Sequence, residues 1–76
     1  MIYEIRCHND QHCSTVQKTL FANGYRWAIH GQTIREVESL SIFINNGTKA
    51  IRTSPISWLG FDKQPIPISL SELLQL

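Results

Sequence analysis

The sequence predicts an α+β domain of the β-α-β-β-β type, with a small sheet of about four strands, one main helix on one face and a short C-terminal helix. Three observations carry that expectation. Runs of alternating side-chain character open the chain and return at residues 25–29. A helical spacing of apolar residues lies between them, and a β-rich pair of runs around Asn46-Gly47 follows.

In MIYEIRC, Tyr3, Ile5 and Cys7 fall on one face and Ile2, Glu4 and Arg6 on the other, the period of a half-buried strand. From Asp10 the period changes. Cys13, Val16, Leu20 and Phe21 recur at helical spacing, Asn9 or Asp10 can cap the start, and Asn23-Gly24 is a stop signal, so the main helix is expected over residues 11–23. YRWAI alternates again and makes a second strand, and a helical crossover of this length suits a right-handed unit with parallel strands. Residues 30–38, HGQTIREVE, have no clean period and read as an exposed connection. In SLSIFINNGTKAIRT, Asn46-Gly47 favours a two-residue type I′ turn, which would set Asn45 opposite Thr48, Phe43 opposite Ala50 and Ile42 opposite Ile51. Pro55, Pro65 and Pro67 punctuate the next segment, which reads as a loop or edge packed through Trp58, Leu59 and Phe61. Ser69-Leu70-Ser71-Glu72 matches a capping box and opens the last helix.

Seventy-six residues suit a single domain, 1–76, near the lower size limit for a self-sufficient core, so self-association would add stability. A net charge of +1 gives no field that would draw in nucleic acid non-specifically. No apolar run approaches the length of a bilayer span or a signal peptide, which points to a soluble cytoplasmic protein with no membrane partner.

Phasing the strands together collects Tyr3, Ile5, Cys7, Tyr25, Trp27, Ile29, Leu40, Ile42, Ile44 and Ile51 on one face, the expected core beneath the helix. The other face collects Ile2, Glu4, Arg6, Arg26, Ala28, Ser41, Phe43, Ala50 and Arg52. Arg6, Arg26 and Arg52 around Phe43 make a candidate ligand platform, because a guanidinium fork matches phosphate and carboxylate oxygens and stacks on rings. The same pattern is also ordinary strand surface, with Glu4 pairing Arg6 or Arg26, and it suits a dimer interface.

The stretch CHNDQHC places two cysteines and two histidines within seven positions. Structural zinc sites draw ligand pairs from two separated pieces of chain, a spacing this run lacks, so no metal is expected. Cys7 at a strand end and Cys13 on the buried helix stripe read as small hydrophobes, and a reducing compartment would leave both as thiols rather than a disulfide. The helix start near His8, Ser14 and Thr15 is a second possible anion seat. No phosphate loop, carboxylate pair or nucleophile–base motif appears, so neither cofactor nor catalysis is expected. Trp58 and Phe61 could stack a base, although anchoring of their loop is the simpler role.

The run VQKTLFANGYRW, residues 16–27, with the strand before it and the hairpin and LSELL helix after it, resembles many small uncharacterised bacteriophage and prophage accessory proteins. The likeness spans most of the chain, but its marks, Leu20, Gly24-Tyr25 and Trp27, are structural. It implies a phage-encoded binding protein in the host cytoplasm, not an enzyme. Such a protein would counter host function or defence by sequestering a small anionic ligand, such as a nucleotide signal, or by occluding a host protein, as a homo-oligomer. A nucleic-acid-binding regulator using Arg6, Arg26, Arg52 and Lys49, and a small Cys/His enzyme, are the rival readings.

Overall fold

A computed structural model describes residues 1–60 and 63–76. Five strands and three helices follow in the order β1 (Ile2–Arg6), α1 (Asp10–Ala22), β2 (Arg26–Trp27), β3 (Ser41–Asn45), β4 (Ala50–Arg52), α2 (Ile56–Leu59), β5 (Ile66–Pro67) and α3 (Leu70–Leu74). The α+β class holds. The strands form one mixed sheet in the order β2-β4-β3-β1-β5, one strand more than the sequence suggests. The extra strand comes from the proline-rich segment, where Ile66 and Pro67 run parallel to Tyr3 and Glu4.

Strands β1 and β2 point the same way, but β3 and β4 lie between them. The second strand is also shorter than expected, and Ile29 leaves the core face to stand 79% exposed. It does so because the chain turns sharply after Trp27, whose N–H donates to the Gly31 carbonyl at 2.7 Å.

Helix α1 forms as its signals direct. Asn9 caps it, accepting the His12 N–H at 2.8 Å. At its other end the Tyr25 N–H reaches the Leu20 carbonyl at 3.0 Å and the Gly24 N–H the Phe21 carbonyl at 3.1 Å, with Gly24 at φ +89°. That Schellman closure needs a left-handed residue, which glycine supplies without steric cost. Cys13, Val16, Gln17 and Leu20 are its buried stripe. They meet Tyr3, Ile5, Tyr25, Trp27, Ile42, Ile44 and Ile51 of the sheet segments, with Leu73 of α3 in the same cluster, so both helices cover one sheet face. Each large side chain removed from water contributes roughly 1.5–3 kcal/mol.

The hairpin register differs from the two-residue turn. Phe43 lies opposite Arg52, Ile44 opposite Ile51 and Asn45 opposite Ala50, leaving a four-residue loop of Asn46, Gly47, Thr48 and Lys49. The Asn45 side-chain oxygen accepts the Gly47 and Thr48 N–H groups at 3.0 and 3.3 Å, and Lys49 takes the left-handed conformation at φ +59°. An asparagine that bonds its own backbone two residues on makes this wider turn in place of the type I′ turn. The displacement is two residues, so every side chain keeps its face.

The cysteines correct the sequence reading more sharply. Cys7 and Cys13 form a disulfide, with Cα atoms 5.2 Å apart. Cys7 is the last inward position after β1 and Cys13 the first on the buried stripe of α1, so the tight turn at residues 8–9 brings them face to face within bridging distance. Among the described residues no cysteine is free.

Residues 30–38 are irregular, as expected, yet they are anchored. Val37 is buried in the core, and Gln17 of α1 holds the Arg35 backbone at both of its polar groups.

Candidate anion cleft at the ends of the parallel strands

Strands β2 and β4 run parallel, with Trp27 beside Ile51, so their C-terminal ends lie side by side. The Ala28 N–H makes the last rung, donating to the Ile51 carbonyl at 3.1 Å. Beyond it the chains diverge and leave a cleft of about 200 Å³. Its lining includes the apolar Trp27 and Ile51, the basic Arg35 and Arg52, and the hydroxyl-bearing Thr53, Ser54 and Ser57. Ala28, Ile29 and His30 line the rest.

Each guanidinium has a defined seat. Arg35 lies over the Trp27 ring at 5.7 Å and Arg52 over the Trp58 ring at 5.6 Å, distances at which a cation is attracted to an indole face. Gln17, fully buried on α1, fixes the first of these seats. Its amide donates to the Arg35 carbonyl at 2.7 Å, and its oxygen accepts the Arg35 N–H at 2.8 Å and the Trp27 indole N–H at 3.2 Å. One glutamine therefore sets both the ring and the backbone that carries the cation. The second seat has an unmet demand, since Nε of Arg52 is buried and makes no hydrogen bond among the described residues. No carboxylate lines the cleft among the described residues; Glu36 and Glu38 line an adjoining groove that Arg35 and Thr53 share.

Of the residues expected to bind ligand, Arg52 is in this cleft and Arg6, Arg26 and Phe43 are not. All four do project from the sheet face opposite the core, but Arg6 is on β1 and Arg26 on β2, three strand spacings or about 14 Å apart across the sheet. Arg6 is 76% exposed and reaches Glu4 at 3.9 Å and the Ser41 hydroxyl at 3.5 Å, a surface pairing worth little. Phe43 sits between Arg52 and Glu4 in one cross-strand row and is half-buried.

The CHNDQHC segment makes a closed turn. His8 and His12 stack at 4.5 Å, and the His8 N–H donates to Nδ1 of His12 at 2.9 Å. At the expected helix-start seat, Asn9 takes the His12 N–H and the Thr15 hydroxyl donates to the Gln11 carbonyl. No group of three or more metal-ligating side chains converges among the described residues. Trp58 stacks on Arg52 and borders the cleft through its neighbour Ser57, whereas Phe61 lies outside the described residues.

Compared with protein-family models, curated proteins and solved structures, the chain matches none. No helix is long and apolar enough to cross a membrane among the described residues.

Proposed function

We propose that this chain is a non-enzymatic binding protein that sequesters a small anionic ligand between Arg35 and Arg52. The observation that carries the reading is a cleft lined by two basic side chains, Arg35 and Arg52, and by no described carboxylate; among the described residues the buried Nε of Arg52 also has no hydrogen-bond partner. A guanidinium pairs with an anionic oxygen through charge-assisted hydrogen bonds, which are about twice as strong as neutral ones. The disulfide consumes the two thiols on which a Cys/His enzyme would depend, which favours binding over catalysis. Wide spacing of Arg6 and Arg26, and a net charge of +1, give a nucleic-acid backbone no continuous track to follow.

The biological setting in this proposal, a phage-encoded protein that withholds a ligand from its host, rests on the resemblance of residues 16–27 and their flanks. Occlusion of a host protein is the second reading, and the exposed Ile29 at the rim of the cleft favours it. Self-association would enlarge the small core in either case.

The test uses the chain's own two tryptophans, which lie against the two cleft guanidiniums. Titration with inorganic phosphate and with small organic phosphates and carboxylates should give a saturable change in indole fluorescence. Arg52→Gln should weaken the binding about tenfold or more. A flat response to every anion would overturn the anion reading, and capture of one defined host protein would then establish occlusion.

A further inference from the structure

We infer that the cleft is built for the dianionic head of a phosphomonoester carried on a compact apolar or aromatic body, and discriminates against phosphodiesters and carboxylates. The inference rests on the reading of the cleft as an anion site and adds its ligand class.

Charge matching comes first. Two guanidiniums line the cleft with no described carboxylate among them, so the neutralising ligand carries two negative charges. A phosphomonoester carries about −1.5 to −2 near neutral pH, whereas a diester or a carboxylate carries only one. Donor count agrees. The guanidiniums of Arg35 and Arg52, with the hydroxyl-bearing Thr53, Ser54 and Ser57 in the same lining, supply more donors than two carboxylate oxygens can take up, and a terminal phosphoryl group presents three acceptor oxygens.

Preorganisation comes second. Both guanidiniums already rest on indole rings, and the Arg35 backbone is clamped by Gln17, so little side-chain freedom is lost on binding.

Size and polarity come third. At about 200 Å³ the cleft falls below the roughly 300–1,000 Å³ that envelops a drug-sized ligand, so it engulfs the head and leaves the body at the rim. Ala28 and Ile29 line that side, and Ile29 is largely exposed, which suits a ring or alkyl group lying across it.

The experiment compares phenyl phosphate, methyl phenyl phosphate and benzoate by intrinsic tryptophan fluorescence on the full chain. Phenyl phosphate should bind at least about tenfold more tightly than the other two, the ratio expected for the loss of one charge-assisted hydrogen bond. Arg35→Gln and Arg52→Gln should each weaken phenyl phosphate about tenfold or more, and Arg6→Gln should not change it. Equal affinity for the diester or for benzoate would overturn the phosphomonoester assignment while leaving an anion cleft intact. Absence of binding by all three would overturn both. Should an arginine variant fail to fold, Ser57→Ala in the short α2 replaces it, with a selective loss of phenyl phosphate affinity expected and an unchanged selectivity counting against the assignment.

Discussion

Gln17 is the residue on which the loop and the cleft both depend. It occupies the helix stripe between Cys13 and Leu20, where an apolar side chain would be ordinary, and its amide instead satisfies the Trp27 indole and both polar groups of the Arg35 backbone. Replacing it with leucine keeps the volume and removes all three bonds. Stranding these partners should lower stability by about 2–4 kcal/mol in urea denaturation, with the dependence on urea unchanged. A loss below about 0.5 kcal/mol would mean that the loop is anchored by Val37 alone. The position was legible in the sequence in one respect. A glutamine among Cys13, Val16 and Leu20 must find polar partners. Which partners it finds depends on contacts eighteen residues away, and Arg35, in a stretch without periodicity, offers no local sign of being one.

At the scale of elements, local signals predicted local structure well. The cap of α1, its glycine stop and the Ser69–Glu72 capping box all form, because each is satisfied within a few residues of chain. The Glu72 carboxylate accepts the Ser69 N–H, and the Ser69 side chain caps the same turn; these bonds hold its pKa below the ordinary carboxylate value. A carboxyl with a depressed folded-state pKa stabilises α3 fully above its unfolded-state pKa, and that contribution is lost as pH falls through the folded-state value. Carbon-detected NMR titration of Glu72 should show the low value, and Ser69→Ala should move it back towards the ordinary one; an unshifted Glu72 in the native chain would show the capping box to be open in solution. The disulfide at the entrance to α1 follows from geometry rather than from the compartment chemistry that argues for free thiols, since the turn after β1 brings Cys7 and Cys13 together. Closing a loop between residues six apart restricts the unfolded chain by about 2 kcal/mol. The urea midpoint should fall accordingly under a phosphine reductant, whereas an unchanged midpoint would mean that the bond adds no net stability. Hairpin register departs from the Asn46-Gly47 signal because Asn45 competes for the turn from just outside it.

Over the whole molecule, the arrangement of the sheet depends on pairings between distant segments, and these were the least legible part. The alternation of side chains fails at Ile29, where the strand has already ended, but places Tyr3, Ile5, Cys7, Tyr25, Trp27, Ile42, Ile44 and Ile51 on the buried face, because a face depends only on parity. Strand order does not, and β5 was hidden by the prolines that turn out to define it. The Ile68 N–H donates inward to the Glu4 carbonyl at 3.0 Å, so alternate positions on this strand direct their backbone nitrogens away from β1. Pro67 occupies the outward position inside β5, and Pro65 the equivalent one before it. Proline at such a place withholds the donor that another strand would need. The opposite edge is closed differently, by the paired Trp27 and Gly31 backbone bonds. Any association between copies must then use side-chain faces rather than strand addition. Replacing Pro65 and Pro67 together with valine restores two outward N–H groups beside the exposed Ile66 and should shift sedimentation towards concentration-dependent dimers or larger species. If the double variant sediments as the parent does, the edge is protected by something other than its prolines, and the short span of β5 itself is the natural alternative, since two residues offer too few bonds to hold a partner strand.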